Sequence, residues 1–116
     1  MQRDIRAFLW DVREAAQAIQ SFTAELNSSS YRENEMAQAA VERKFEVIGE
    51  SLNQLAKLDP LLASRIPGLP KIVAFRNQLI HGYATVNVDT VWHISKEALP
   101  PLARCVQDLL EELGKA

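Results

Sequence analysis

Residues 41–55 read VERKFEVIGESLNQL, and the spacing of their apolar members decides the fold. Val41, Phe45, Ile48, Leu52 and Leu55 are spaced alternately four and three apart. At about 100° per residue they fall on one side of a helix. The pattern predicts a helix from about Asn34 to Leu58. Met36, Ala40, Val47 and Leu58 form a second, weaker apolar strip on another side. A helix with two apolar sides is either central in its bundle or touches a second chain.

Upstream, Ile5, Phe8, Leu9, Val12, Ala15, Ala16, Ile19, Phe22 and Leu26 keep the same period. Asp4 belongs in the first turn, where the positive end of the helix dipole favours an acid. Trp10 lies off this stripe and suits an interface. Asn27-Ser28-Ser29-Ser30 interrupts the pattern and reads as a turn. Downstream, Asp59 as N-cap and Pro60 at the first helical position open a short helical turn through about Ser64. Pro67, Gly68 and Pro70 enforce a loop, and a third long helix is expected from Pro70 to about Gly82, a natural stop. Asn87 or Asp89 caps the next helix, whose apolar face is Val88, Val91, Trp92, Ile94, Ala98 and Leu99. His93 lies on its far side and reads as solvated. Pro100-Pro101 must kink or restart the helix, because each proline removes a backbone donor. Leu102, Val106, Leu109, Leu110 and Leu113 complete the pattern. No strand-like alternation is long enough to count. The expected fold is all-α: an up-and-down bundle of four long helices plus a short one, the last helix kinked at Pro100-Pro101, forming a single domain over residues 1–116.

The chain has 116 residues, enough to bury a core without staples. Lys and Arg number 13 against 15 Asp and Glu, a net charge of -2. This is not a generic nucleic-acid glue; any RNA binding needs positive charge that is local or comes from paired subunits. Cys105 is the single cysteine, which suits a reducing cytoplasm and a buried apolar thiol. No charged-then-apolar leader and no bilayer-spanning run is evident, so a soluble cytoplasmic protein is expected. His81, His93 and Cys105 lack metal-ligand spacing, and no metal or cofactor is expected.

The stretch RNQLIHGY, residues 76–83, places Arg, Asn, His and Tyr in an otherwise apolar helix. With Ile72 at the origin of a helical wheel, Arg76 falls near ~40°, inside the apolar stripe, and His81 lies ~140° further round. Asn77 and His81 are four apart and share a face. A guanidinium on an apolar face needs a carboxylate or a phosphate. Two readings are open. In one, Arg76 makes a structural ion pair with Glu46 or Glu50, His81 and Asn77 are solvated or bridged, and Tyr83 is core with its hydroxyl at the edge. In the other, Arg76 binds phosphate and His81 transfers a proton. One helix does not point both the same way, so the second reading calls for two copies across a two-fold axis.

At these residues a resemblance enters. Arg76, four residues, His81, one residue and Tyr83 match the motif of HepT-type toxins in the HEPN ribonuclease superfamily. ERKFEVIGESLNQL resembles the second helix of that family. IPGLPKIVAFRNQLIHGYATVNVDTVWHISKEALPPL resembles its motif helix with the following Asp-x-x-Trp and Leu-Pro segment. The likeness runs from about Ala40 to Leu110. It implies a HEPN-type bundle that dimerises and places two motifs in a shared cleft. It implies a metal-independent endoribonuclease that leaves a 2′,3′-cyclic phosphate and a 5′-hydroxyl. Arg76 and His81 would be catalytic, with Asn77 and Tyr83 supporting. It also implies a partner, an MNT-type nucleotidyltransferase antitoxin that transfers AMP to Tyr83. An alternative function is a non-catalytic HEPN module that binds RNA, nucleotide or the partner.

Overall fold

The Asp4 carboxylate accepts from the Arg6 amide at 2.8 Å and starts the first helix, α1, over Ile5–Thr23. The computed structural model describes residues 3–82 and 86–114. Along them follow α2 (Ser28–Arg32), α3 (Glu35–Leu58), α4 (Pro60–Ala63), α5 (Leu69–His81), α6 (Val88–Glu97) and α7 (Leu99–Gly114). No strand occurs among the described residues. None of the described helices is long and apolar enough to cross a membrane.

The α3 helix is the centre of an all-α bundle. Asn34 caps it, accepting from the Ala37 amide at 2.9 Å. Its five main-face residues, Val41, Phe45, Ile48, Leu52 and Leu55, are fully buried. Each such side chain contributes about 1.5–3 kcal/mol of burial. The α1 helix packs along α3, and α5 packs along it as well. Phe45 meets Phe75 of α5 edge to face, with centroids 5.3 Å apart. The weaker strip is only partly covered: Ala40, Val47 and Leu58 are half-buried and Met36 is 83% exposed.

On its other flank α1 packs against α7 in antiparallel fashion. Ala7 and Trp10 share one hollow with Leu110 and Gly114, while Gln17 and Gln20 share another with Pro100 and Ala103. Asp59 caps α4 by accepting from the Leu62 amide at 3.0 Å, with Pro60 at the first helical position, as the sequence predicts. Asn87, rather than Asp89, caps α6. Asp89 instead pairs with Arg32 at 3.0 Å and ties α6 to α2. His93 is exposed.

Four expectations need correction. Asn27 to Ser30 is not a plain turn but the start of α2. Asn27 and Ser30 cap one another reciprocally, each accepting from the other's amide at 2.9 Å. The α2 helix then buries Tyr31 against Trp92, with centroids 5.2 Å apart. Two short helices therefore accompany the long ones. Secondly, Phe22 is 40% exposed and Thr23 is buried in its place. Thr23 is five full turns from Ile5, whereas Phe22 has rotated about 100° off that line. Thirdly, of the two outcomes expected at Pro100-Pro101, the helix restarts rather than kinks. The chain leaves α6 at Ala98, and α7 starts at Leu99. Pro100 and Pro101 sit in its first turn, where missing N–H groups cost no helical bonds. Finally, Cys105 is only half-buried, and its thiol donates to the Arg65 carbonyl at 3.3 Å.

Candidate functional site

The α5 helix begins after Gly68 and ends where Gly82 turns left-handed at φ 60°, its amide reaching the Gln78 carbonyl at 3.2 Å. Ile72 and Phe75 face the core. Arg76 sits beside them, and its stem lies against Gly49 of α3. A Cβ at position 49 would collide with the Arg76 Cβ and Cγ. Only a glycine lets α5 approach so closely there. A glycine inside a strong helix is costly, and that cost is the signal that marks close approach. The sequence reading passed over it.

The Arg76 side chain is 20% exposed. One terminal nitrogen donates to Glu50 and forms an ion pair with it. The other donates to the Asn77 side-chain oxygen at 2.9 Å. The Nε is buried without a partner. Glu50 also accepts from the Gln54 side chain at 3.0 Å. The ion pair expected from the apolar placement of Arg76 therefore exists, with Glu50. Glu46 pairs with Arg43 instead, at 3.3 Å. One turn earlier, Glu42 is held above the usual carboxylate range by burial and by the charge of Glu46.

Arg76 lines a groove of about 400 Å³ between α1, α3 and α5. Three ion pairs border it: Arg3–Asp11 at 2.9 Å, Arg43–Glu46 and Arg76–Glu50. Val47 and the exposed Ile80 supply apolar wall. The groove has cations and carboxylates in balance. His81 is exposed at the end of α5 and does not line it. The structure thus brings Arg76, Asn77 and Glu50 together, with His81 at the end of the same helix. Tyr83 lies outside the described residues. A larger hollow of about 520 Å³ between α1 and α7 contains no residue of the motif. Trp10, 50% exposed, lines it with the Arg13 guanidinium 3.8 Å from its ring centroid.

The chain matches the HepT-like ribonuclease family over residues 12–109. It is 32% identical to the candidate RNase MJ1380 of Methanocaldococcus jannaschii over 108 residues, 91% of this chain and 96% of that protein. The candidate RNase MJ1216 of the same organism is 30% identical, covering 97% of this chain and 92% of that one. The candidate ribonuclease HepT of Thermococcus cleftensis is 32% identical over 102 residues, 88% of this chain and 92% of that protein. No solved structure matches it significantly. The match spans α3, α5 and the Arg76–His81 segment, and on it the chain belongs to the HepT-like ribonuclease family.

Proposed function

We propose that the chain is a metal-independent endoribonuclease that acts in the cytoplasm as a homodimeric toxin, built as one domain over residues 1–116. Its active site is a cleft between two copies, where Arg76 of one chain works with His81 of the other. The observation that carries the reading is the seat of Arg76: a half-buried guanidinium, held from α3 and by Asn77, at an open groove. Family membership supports it.

The chemistry follows from the residue types. A base removes the ribose 2′-hydroxyl proton, and that oxygen attacks the adjacent phosphorus. The 5′-oxygen leaves with a proton, giving a 2′,3′-cyclic phosphate and a 5′-hydroxyl. Histidine suits proton transfer because its ordinary pKa lies near neutrality. Arginine offers a planar fork to the negative charge that builds on phosphate. Asn77 supports by fixing the guanidinium. Tyr83 is the acceptor of AMP from an MNT-type nucleotidyltransferase antitoxin. AMP attached there brings a phosphate to occupy Arg76 and repel RNA.

A second reading has an observation in its favour. The net charge of -2 suits a HEPN module that binds RNA, nucleotide or its partner without cutting. One experiment separates them: RNA cleavage in EDTA by protein whose Tyr83 is unmodified by mass, beside His81→Ala. The nuclease reading expects cyclic-phosphate ends from the wild type and a loss of about 10²-fold or more in the variant. Absence of cutting by an unmodified dimer on several RNA classes would favour the binding module over the nuclease.

A further inference from the structure

We infer that Glu50 is a positioning residue for Arg76 and also competes with substrate phosphate for it. This inference rests on the reading of Arg76 as the phosphate-binding group. Four side chains form a hydrogen-bonded row across α3 and α5. Gln54 donates to Glu50, Arg76 donates to Glu50, and the other arm of Arg76 donates to Asn77. The stem of Arg76 is pinned on Gly49, so the guanidinium cannot swing far. Its two terminal nitrogens thus project with acceptors on both sides, and the carboxylate aims the fork.

A carboxylate and a phosphodiester bind a guanidinium through the same fork and carry the same sign. They compete for it. The exposures say which group yields. The Glu50 side chain is 46% exposed and that of Arg76 only 20%. Glu50 can rotate into water at small cost, since an ion pair with a solvated partner contributes little. Arg76 stays where Gly49 and Asn77 hold it. Substrate binding is therefore an exchange of anions on a fixed cation. It also accounts for how an acidic chain keeps an RNA-binding arginine half-buried without RNA. The neighbouring cations are also paired, Arg3 with Asp11 and Arg43 with Glu46, but there the cation is the more exposed partner, so only Arg76 is the fixed member of its pair.

The test is a binding titration of a fluorescein-labelled single-stranded RNA on full-length protein carrying His81→Ala, so that nothing is cut. Glu50→Gln removes the charge and keeps an acceptor for Arg76. Glu50→Ala removes both. Glu112→Gln makes the same change in net charge on α7, at an exposed pair with Arg65 away from the groove. Glu50→Gln is expected to bind about fivefold more tightly, the upper end for a partly exposed ion pair released to substrate. The slope of log affinity against log salt should steepen by about 0.7, one phosphate contact on a single strand. Glu50→Ala should bind more weakly than Glu50→Gln, because the fork is no longer aimed. Glu112→Gln should stay within about twofold of its parent, as an exposed pair contributes little. Equal affinity and slope in Glu50→Gln and its parent would overturn the competition. Equal binding by the two Glu50 variants would overturn the positioning, and no RNA binding by any variant would overturn both. If wild type cuts no RNA while Glu50→Gln still tightens binding, the nuclease reading fails and this one stands.

Discussion

Tyr31 carries a hydroxyl that is buried with no hydrogen-bond partner. Burial, with a smaller push from the charge of Glu42, raises its phenol to about 12. An unfolded tyrosine ionises near 10. Below that pH both states hold the proton and stability is unaffected. Above it the unfolded chain loses the proton first, so stability falls as pH rises from about 10 to about 12. The loss from this group should reach about 1–2 kcal/mol by pH 11. Tyr31→Phe should remove that alkaline loss and leave neutral stability equal or higher, since it deletes an unsatisfied polar atom. Urea unfolding of both proteins at pH 8 and pH 11 checks it; a parallel fall in the two would refute the assignment. The sequence made Arg76 legible, because a guanidinium in an apolar stripe demands an anion, and Glu50 was one of the two acids in reach. It made Asn77 only half legible. Residues four apart share a helix face, which pointed Asn77 to His81, whereas adjacent residues ordinarily do not face each other. The observed Arg76–Asn77 bond depends on side-chain rotamers that spacing does not encode.

Between elements, the contact that places the site is α3 against α5. It depends on Gly49, where a methyl group meets the root of Arg76 rather than its flexible end. Gly49→Ala has two opposing effects. Helix propensity favours alanine by about 1 kcal/mol. Overpacking a close contact costs about 1–3 kcal/mol, and here either α5 or the Arg76 backbone must shift. The clash should win. The variant should melt a few degrees lower while staying helical by circular dichroism, and RNA binding should weaken because Arg76 moves. An unchanged or raised Tm with unchanged RNA binding would show that α5 adjusts freely. The same scale shows what periodicity reads well and badly. It located α3 and five of its seven buried residues, since repeated burial on one face leaves a repeated pattern. It missed α2, whose Asn27-x-x-Ser30 cap is a signal of local hydrogen bonding, not of hydrophobic spacing. It extended the stripe of α1 to the apolar Phe22, although that position lies about 100° off the line of Ile5 and the buried Thr23.

For the whole molecule the question is how Arg76 and His81 meet. They lie on one helix, one half-buried at the groove and the other exposed at its end. Positions five apart on a helix diverge by about 140°, so a single chain presents them to different sides. A net charge of -2 and a groove of balanced ion pairs give one copy little pull on RNA. A two-fold pairing answers the first of these, by bringing a second Arg76 and a second His81 to one cleft. The exposed Ile80 and Met36, on α5 and α3, supply apolar surface that such a pairing can cover. The periodicity of one chain registers that surface without saying what lies on it, which is why assembly was the least legible level. Subunit complementation decides the matter. Arg76→Ala and His81→Ala proteins should each be inactive alone. Refolded together at equal concentration, half of the dimers should be mixed, and each mixed dimer should carry one site with both groups intact. Cleavage should then return to about a quarter of wild type. If each site takes both residues from the same chain, mixing restores nothing, and the crossed cleft is refuted even though the dimer persists by light scattering.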